Sequence, residues 1–183
     1  MEDVDNPTTS PLGPTSVPEG EIDLLTGLCT ADGLIRRFEQ KTWWQPQALM
    51  LYLDVDEFSG INDEWGWHAG DQVLCEIASR LTTALRDEDI ISRLEADEFA
   101  VVCCAPWSDD AAINAAMRVA RELSRPFAIQ LMDGSVVSLT VGVSMGTALG
   151  GTTDLSALLL HADKNLARAQ QRRGVTTTAS RND

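Results

Sequence analysis

The sequence is poor in positive charge and in long apolar runs. Its 183 residues carry 14 Lys+Arg against 28 Asp+Glu, which gives a formal net charge of -14. Nucleic-acid polymers and anionic membranes are held mainly by clustered basic residues, so this balance argues against both as partners. An acidic protein that binds phosphates needs local help from a metal ion, from helix N-termini or from a few placed arginines.

Cysteine pairs and targeting signals are missing as well. None of the four cysteines shows CxxC spacing, and Cys103 and Cys104 are adjacent in an apolar run. Such residues are typical of small buried hydrophobes in a reducing cytosol. The acidic N-terminus contains no hydrophobic stretch long enough for a signal peptide or a membrane span. The sequence therefore predicts a cytoplasmic protein.

The composition divides the chain into three parts. Residues 1–20 are rich in Pro, Thr, Ser and acidic residues and show no hydrophobic period. Such a segment cannot bury enough surface to offset its ordering entropy, so it is predicted to be a disordered acidic tail. Residues 175–183 are predicted to form a second disordered tail. Residues 21–174 are predicted to form one folded domain.

Short apolar runs alternate with helical stripes across the folded part. The runs predict strands and the stripes predict helices, and Asp133-Gly134 predicts a hairpin turn. The predicted strands are Ala48–Leu53, Ile90–Leu94, Phe99–Cys104, Phe127–Leu131 and Val136–Met145, and the predicted helices are 71–86 capped by Asp71, 109–124 capped by Ser108, and one from Leu155 that ends before Gly174. This order predicts an α+β fold on the ferredoxin-like, split βαβ plan (βαββαβ), an antiparallel sheet with helices on one face.

Two polar segments follow the first predicted strand. Asp54 and Asp56 come directly after the buried run, where carboxylate oxygens suit Mg²⁺, although charged residues after a strand are usually only solvated. Asn62 and Asp71 offer the amide and the carboxylate that together can read the edge of a guanine. The alternative is a glycine-containing loop in which Asp71 serves only as a helix cap.

The segment Arg93–Phe99 adds a third acidic motif at the hairpin turn. Taken together, the three segments resemble the GGDEF domain, the catalytic domain of diguanylate cyclases. The family pattern D-x-L-T-G-L appears at residues 23–28, the D-x-D-x-F segment and its continuation run from Asp54 to Asp71, and the naming motif reads Glu95-Ala96-Asp97-Glu98-Phe99. The resemblance covers residues 23 to about 174 in the right order and spacing.

The resemblance implies a reaction and a set of residues. In this family two domains face each other, each holding one GTP with two Mg²⁺. The 3′-hydroxyl of each GTP attacks the α-phosphate of the other and gives cyclic di-GMP. Asp54 and Asp97 are then the expected metal ligands, Asp97 is also the catalytic residue near the attacking hydroxyl, and Asn62 and Asp71 are the expected guanine readers. Mg²⁺ is expected only if GTP still binds.

The departures from the family pattern lie on the phosphate side. Glu95 and Ala96 replace the two glycines, and Ser59 and Gln170 replace the phosphate-binding lysines. A residue with a Cβ in a left-handed turn costs ~1–2 kcal/mol, which a fold can tolerate. A carboxylate ~4 Å from the triphosphate costs ~4 kcal/mol at an effective dielectric of about 20, or roughly a thousandfold in rate. This pattern predicts lost turnover with some residual grip on the nucleotide.

Arg86 and Asp89 form an R-x-x-D pair, and five residues separate Asp89 from Glu95. In isolation such a pair is commonly a surface ion pair. At this distance from the motif it resembles the inhibitory site of the family, where cyclic di-GMP binds. Arg86 would fork onto a phosphate or a guanine, and Asp89 would accept from guanine nitrogens. Arg118 or Arg121 could supply an additional arginine.

Three functions therefore stand open. The first is a degenerate GGDEF receptor that binds cyclic di-GMP at Arg86 and Asp89 and signals to a protein partner. The second is an active or weak diguanylate cyclase that binds GTP. The third is a nucleotide-free interaction module that uses the Trp-rich surface of Trp43, Trp44, Trp65 and Trp67. A homodimer is a further candidate assembly.

Overall fold

A computed structural model describes residues 20–41, 47–104, 108–151, 154–172 and 178–180. Most of the predicted tails, and Trp43 and Trp44, lie outside these residues. The helices are α1 (Ala31–Lys41), α2 (Phe58–Trp65), α3 (Trp67–Ala84), α4 (Asp109–Leu123) and α5 (Leu155–Arg172), and the strands are β1 (Gln47–Val55), β2 (Ile90–Arg93), β3 (Glu98–Cys104), β4 (Phe127–Gln130), β5 (Val136–Thr140), β6 (Val143–Gly151) and β7 (Thr178–Ser180).

The main sheet has the strand order β2-β3-β1-β6. Each neighbouring pair is antiparallel, with Leu51 opposite Val101 on β3 and opposite Thr147 on β6. In each βαβ unit a third strand lies between the two strands that the helix connects: β3 lies between β1 and β2, and β1 lies between β3 and β6. This is the split βαβ plan. The predicted α+β, ferredoxin-like fold is therefore confirmed.

Helices cover both faces of this sheet, so the predicted one-sided packing is wrong. Alternate residues of β1 point to opposite faces. Leu49, Leu51 and Leu53 join the core formed with α3 and α4, whereas Ala48 and Met50 join a second core formed with α1 and α5. Because helices cover both faces of β1, neither face needs polar side chains. The continuous apolar run of β1 is typical of strands that are buried on both sides.

The helix starts follow local chemistry in one case and tertiary structure in another. The Ser108 side chain accepts from the Ala111 N–H at 3.2 Å, so the predicted cap of α4 is confirmed. The predicted cap at Asp71 is wrong, because α3 begins at Trp67 after Gly66, whose φ is 84°. Asp71 lies one turn inside the helix with an exposed side chain.

The predicted strand Val136–Met145 is divided in two. β5 pairs with β4 through the predicted Asp-Gly turn, where Gly134 has a φ of 85°. β6 crosses to the main sheet, and the Gly142 carbonyl between them accepts from the Asp56 N–H at 2.9 Å. β7 pairs antiparallel with β5, so three residues of the predicted C-terminal tail form a strand.

Contact between α5 and β6 depends on Gly146. A Cβ built at this position would lie 2.0 Å from the Ala162 carbonyl oxygen and 2.3 Å from the Leu166 backbone nitrogen. Only glycine permits this backbone-to-backbone approach. The contact sets how closely the last turn of α5 approaches the end of β1. No helix among the described residues is long and apolar enough to cross a membrane.

Candidate functional site

Asp54 lies at the end of β1, and Asp97 lies in the turn between β2 and β3. The Val55 N–H donates to the Asp97 carbonyl oxygen at 3.2 Å, which ties the two segments together. Burial and then the neighbouring Asp97 carboxylate raise the pKa of Asp54 to about 6. Burial also raises the pKa of Asp97, and the charge of Glu98 adds to the rise. The structure thus brings the two predicted metal ligands together as a pair of carboxylates that a cation would stabilise.

A neutral amide contacts this pair from α5. Gln170 Nε2 donates to Asp54 Oδ1 at 2.9 Å. Gln170 stands where the resemblance expects a phosphate-binding lysine, and Ser59, at the second such position, is exposed in the first turn of α2. Neither position adds positive charge to the site. The amide satisfies one carboxylate oxygen without neutralising it.

Further carboxylates lie around the end of β1. Glu98 is the β3 partner of Asp54 in the strand register, and its Oε2 accepts from the Tyr52 hydroxyl at 2.7 Å. Burial, this hydrogen bond and the charges of Glu98, Asp163 and Glu95 raise the pKa of Tyr52. Across the part of the chain that the structure describes, no group of three or more His, Cys, Asp or Glu side chains is arranged to hold a metal ion.

The turn between β2 and β3 is formed without left-handed residues. Of the residues described, Glu57 is the only non-glycine residue with a positive φ, at 55°. The backbone cost expected for Glu95 and Ala96 in place of glycines is therefore not incurred, because neither needs the left-handed region. Both side chains are exposed. What Glu95 changes at this turn is charge.

The Arg93 side chain stabilises the turn between β2 and β3 through hydrogen bonds. Its Nε and Nη2 atoms donate to the Ala96 carbonyl oxygen at 3.1 and 2.6 Å, and its Nη1 donates to Asp23 Oδ1 at 3.1 Å. Asp23 also accepts from the Thr26 hydroxyl at 2.6 Å. The D-x-L-T-G-L segment thus supports the turn through one guanidinium. Sequence spacing could not reveal this link, since Asp23 and Arg93 are 70 residues apart.

Asn62 carries a buried oxygen without a partner. Its side chain is 9% exposed, and Oδ1 has no hydrogen-bond partner among the residues described. A Cβ at Gly70 would lie 1.9 Å from this atom, so glycine is needed to make room for it. Buried polar atoms are normally paired, and an exception calls for an explanation. A ligand donor is one such explanation.

Asp71 follows Gly70 on α3 and lines a groove of about 460 Å³. Leu25 and Cys75 line the same groove, and the Cys75 thiol donates to the Leu25 carbonyl at 3.3 Å. Burial and then the Asp71 charge raise the pKa of Cys75. The structure thus places the Asn62 oxygen against Gly70, and it places Asp71, the next residue of α3, at a groove with a partly apolar wall.

Arg86 and Asp89 close a tight turn between α3 and β2. The Arg86 N–H donates to Asp89 Oδ2 at 2.9 Å, and the Asp89 N–H donates to the Arg86 carbonyl at 3.0 Å. The Arg86 side chain is 60% exposed and lies 3.8 Å from Glu88. The alternative interpretation, a surface ion pair between Arg86 and Asp89, is not what the structure shows: backbone contacts fix the Asp89 carboxylate, and the exposed guanidinium lies near Glu88.

Cys103 and Arg118 belong to the same neighbourhood. Burial and then the Asp89 carboxylate, by charge and by hydrogen bonding, raise the pKa of Cys103, and Arg118 acts in the opposite direction. Arg118 is exposed on α4. The three side chains come from three different elements, so sequence order could suggest Arg118 only by resemblance and gave no signal for Cys103.

The sequence and the fold match known proteins. The chain belongs to the family described as diguanylate cyclase, GGDEF domain, whose sequence model matches residues 21–175. Diguanylate cyclase TpbB of Pseudomonas aeruginosa (strain UCBPP-PA14) is 37% identical over 153 residues, which are 82% of this chain and 34% of that protein. The chain therefore spans about a third of the length of this relative.

Solved structures agree. A sensory box/GGDEF family protein from Caulobacter crescentus CB15 superposes with a TM-score of 0.71 at 33% identity, over 84% of this chain and 99% of that one. The GGDEF domain of DgcB from Caulobacter crescentus, solved in complex with c-di-GMP, superposes with a TM-score of 0.70 at 22% identity, over 85% of this chain and 92% of that one. At 22% identity, the likeness to the DgcB domain is evidence for the fold alone.

Proposed function

We propose that this domain is a receptor for cyclic di-GMP that does not convert GTP. The observation that carries the proposal is the turn of Arg86 and Asp89, which combines an exposed guanidinium, 3.8 Å from Glu88, with a carboxylate already held by a backbone N–H. A planar guanidinium suits a phosphate or a guanine edge, and a fixed carboxylate accepts guanine N–H groups without further ordering. The bound domain would then signal to a protein partner.

The chemistry of the phosphate side supports the absence of turnover. Two-metal phosphoryl transfer needs positive charge around the phosphates. Here Gln170 offers an amide to Asp54, Ser59 offers a hydroxyl, and Glu95 adds a negative charge near the turn. A triphosphate would meet carboxylates with little compensation.

Mg²⁺ fits Asp54 and Asp97 by donor chemistry, since both are hard oxygen ligands whose pKa values are raised and which would gain from a cation. When bound, Mg²⁺ would neutralise the phosphates and polarise the reacting phosphorus. This chain's own residues would hold it and orient the guanine through Asn62 and Asp71. Gln170 would have to release Asp54 Oδ1 for that oxygen to become a ligand.

A second candidate function is a weak diguanylate cyclase. The unpartnered Asn62 oxygen favours it, because a buried acceptor without a partner is available to a guanine donor. The third candidate, a nucleotide-free interaction module, draws on Trp67, which is 78% exposed.

Calorimetric titration separates these functions. Cyclic di-GMP should bind with a Kd in the micromolar range or tighter, ~8 kcal/mol or more. Arg86→Ala should weaken binding roughly 30-fold, since a charge-assisted contact is worth ~2 kcal/mol. Asp89→Ala should also weaken it, whereas Asp97→Ala should not. Arg125→Ala, at another exposed arginine, is the matched control.

Two results would contradict the receptor proposal. One is the absence of any heat with wild-type protein, and the other is equal binding by wild type and Arg86→Ala. With GTP and Mg²⁺ or Mn²⁺, no cyclic di-GMP should form even at high protein concentration. Robust product that disappears in Asp97→Ala would establish the weak cyclase instead.

A further inference from the structure

Four exposed residues of α4 form a stripe with a spacing of four. They are Asp109, Ile113, Met117 and Arg121, which we call the α4 stripe. Residues four apart are neighbours on a helix surface, and a row of them forms a ridge that winds slowly around the helix. Ile113 is 56% exposed and Met117 is 64% exposed, while the Arg121 side chain is 74% exposed. Two large apolar side chains thus stand in solvent between an acidic and a basic one.

The α4 stripe borders a groove of about 460 Å³ between α4 and β6. Leu49, Met145 and Leu149 form much of its other wall. Methionine is common on surfaces that pack against other proteins, because its side chain adapts to irregular shapes. An apolar groove flanked by exposed apolar side chains marks an interaction surface.

β6 is an edge strand of the described main sheet. Its nine residues, Val143–Gly151, include no charged residue and no proline. Soluble proteins usually protect an exposed edge with charges, proline or bulges. The edge therefore lacks the usual protection beside the apolar groove.

We propose that a second copy of this chain covers the α4 stripe. When two α4 helices meet around a twofold axis at the level of residue 115 and cross at roughly 50°, their i, i+4 ridges run antiparallel to each other. Residues whose numbers sum to 230 then face each other. Ile113 then packs on Met117 of the second copy, and Asp109 faces Arg121 of the second copy. Both pairings occur twice, as a twofold interface requires. The stripe is complementary in charge to itself, which selects a second copy as its occupant.

The pairing keeps the nucleotide sites apart. α4 packs on the face of the sheet that carries Leu49, Leu51 and Leu53, whereas the Asp54 carboxylate contacts α5 on the other face. Two domains joined through α4 do not bring their Asp54 carboxylates together. The pairing does not use Arg86 or Asp89, and Arg118 lies on the side of α4 nearer Cys103.

The expected dimer is weak. One helix stripe with part of an edge strand buries an area near the lower end of stable interfaces, on the order of 1,200 Å² in total. Dissociation is therefore expected on the order of 10–100 µM, outside the range of standard obligate dimers. Sedimentation velocity from a few micromolar to several hundred micromolar covers this range.

Charge reversal tests the pairing. Asp109→Arg alone and Arg121→Asp alone should each weaken the dimer at least tenfold, because each places like charges opposite one another twice. The combination D109R with R121D should restore the dimer to within about threefold of wild type. Both reversals oppose the dipole of α4, so recovery in the double variant cannot come from a more stable helix. Met117→Glu should abolish the dimer.

Arg118→Asp is the control on the same helix and should leave the dimer unchanged, and circular dichroism confirms that each variant is folded. A wild-type protein that stays monomeric up to several hundred micromolar overturns the proposal and leaves the stripe to a different protein. A dimer that is insensitive to the single reversals, or a double variant that does not recover, also overturns it.

Discussion

The two halves of the nucleotide site differ in what their side chains lack. On the base side, Asn62 holds a buried neutral oxygen without a partner, and Gly70 leaves room beside it. On the phosphate side, Asp54 and Asp97 are carboxylates with raised pKa values, and Gln170 supplies an amide. One half lacks a hydrogen-bond donor, and the other lacks positive charge.

Under the proposed function, this difference explains how such a site loses phosphate chemistry and keeps its guanine contacts. A neutral hydrogen-bonding pocket depends on shape and on a few partners, so it survives changes elsewhere. Phosphate binding depends on summed charge from several elements, so losses at α2, the β2–β3 turn and α5 add up. Three predictions test the comparison.

The largest expected effect is a gain of turnover by repair of the phosphate side. Replacing Glu95 and Ala96 by glycine should not suffice, because the missing lysines lie on other elements. Adding Ser59→Lys and Gln170→Lys should raise cyclic di-GMP formation about a hundredfold above the double-glycine variant, equivalent to ~2.7 kcal/mol. Product formation from GTP is measured by chromatography.

The control for this repair uses the geometry of the turn. Because neither Glu95 nor Ala96 has a positive φ, Glu95→Gln with both lysines should be as active as Glu95→Gly with both lysines. A clear advantage of glycine would mean that the working turn differs from the one described. Full activity from the two glycines alone would mean that Ser59 and Gln170 matter little.

A smaller effect is expected in the free energy of unfolding, where a buried polar side chain with a hydrogen-bond partner is compared with one whose oxygen has none. Ser144 is 1% exposed, and its hydroxyl donates to Asp56 Oδ1 at 2.6 Å. Ser144→Ala should lower the free energy of unfolding by ~2 kcal/mol, since it removes a hydrogen bond to a charged group. Asn62→Ala should cost less than ~1 kcal/mol, because its oxygen has no partner to lose. Urea denaturation of both variants measures these free energies of unfolding. Equal losses of stability in the two variants would contradict the comparison.

The smallest effect is a pH dependence from Asp54. Its pKa rises from 3.8 to about 6 on folding, so the folded protein keeps a proton that the unfolded chain releases in this window. The resulting stabilisation is complete below pH 3.8 and is lost as pH rises through about 6. Asp54→Asn should therefore be the more stable protein at pH 7, by ~1 kcal/mol after allowance for solvent screening.

Denaturation from pH 4 to pH 7 in chelator-containing buffer measures this difference. The advantage of Asp54→Asn should shrink as the pH falls through the window. Asp63→Asn, at an exposed carboxylate on α2, is the matched control. A constant difference between Asp54→Asn and wild type at every pH would show that burial and Asp97 do not control this carboxyl.

Local patterns were enough to predict most of the fold. The strands of the main sheet and the Ser108 cap depend on neighbouring residues, which a sequence displays directly. α2 was hidden because Gly60 and Gly66 made its segment look like a loop. The break between β5 and β6 at Gly142 was hidden inside a continuous β-rich run. There the Gly142 carbonyl accepts from the N–H of Asp56, which follows β1 and is distant in sequence.

The site was predictable only as far as motif order reaches. The order of the motifs predicted that Asp54 and Asp97 belong together, and the structure brings them together. The hydrogen bond from Gln170 to Asp54 joins residues that are 116 positions apart in the sequence, and neither local sequence predicts it. The relaxed backbone of the Glu95 turn was likewise hidden, because motif comparison compares residue types and not dihedral angles.

The close approach at Gly146 makes α5 behave as a lever. Its fulcrum is the contact with Ala162 and Leu166, and its free end carries Gln170. The eight residues from Ala162 to Gln170 span about 12 Å, so a small tilt at the fulcrum becomes a larger displacement at the Asp54 carboxylate. Substitution of Gly146, which does not contact Asp54, would therefore move Gln170 relative to the Asp54 carboxylate. Family members that differ at the position of Gly146 would differ in their sites even when every lining residue is the same.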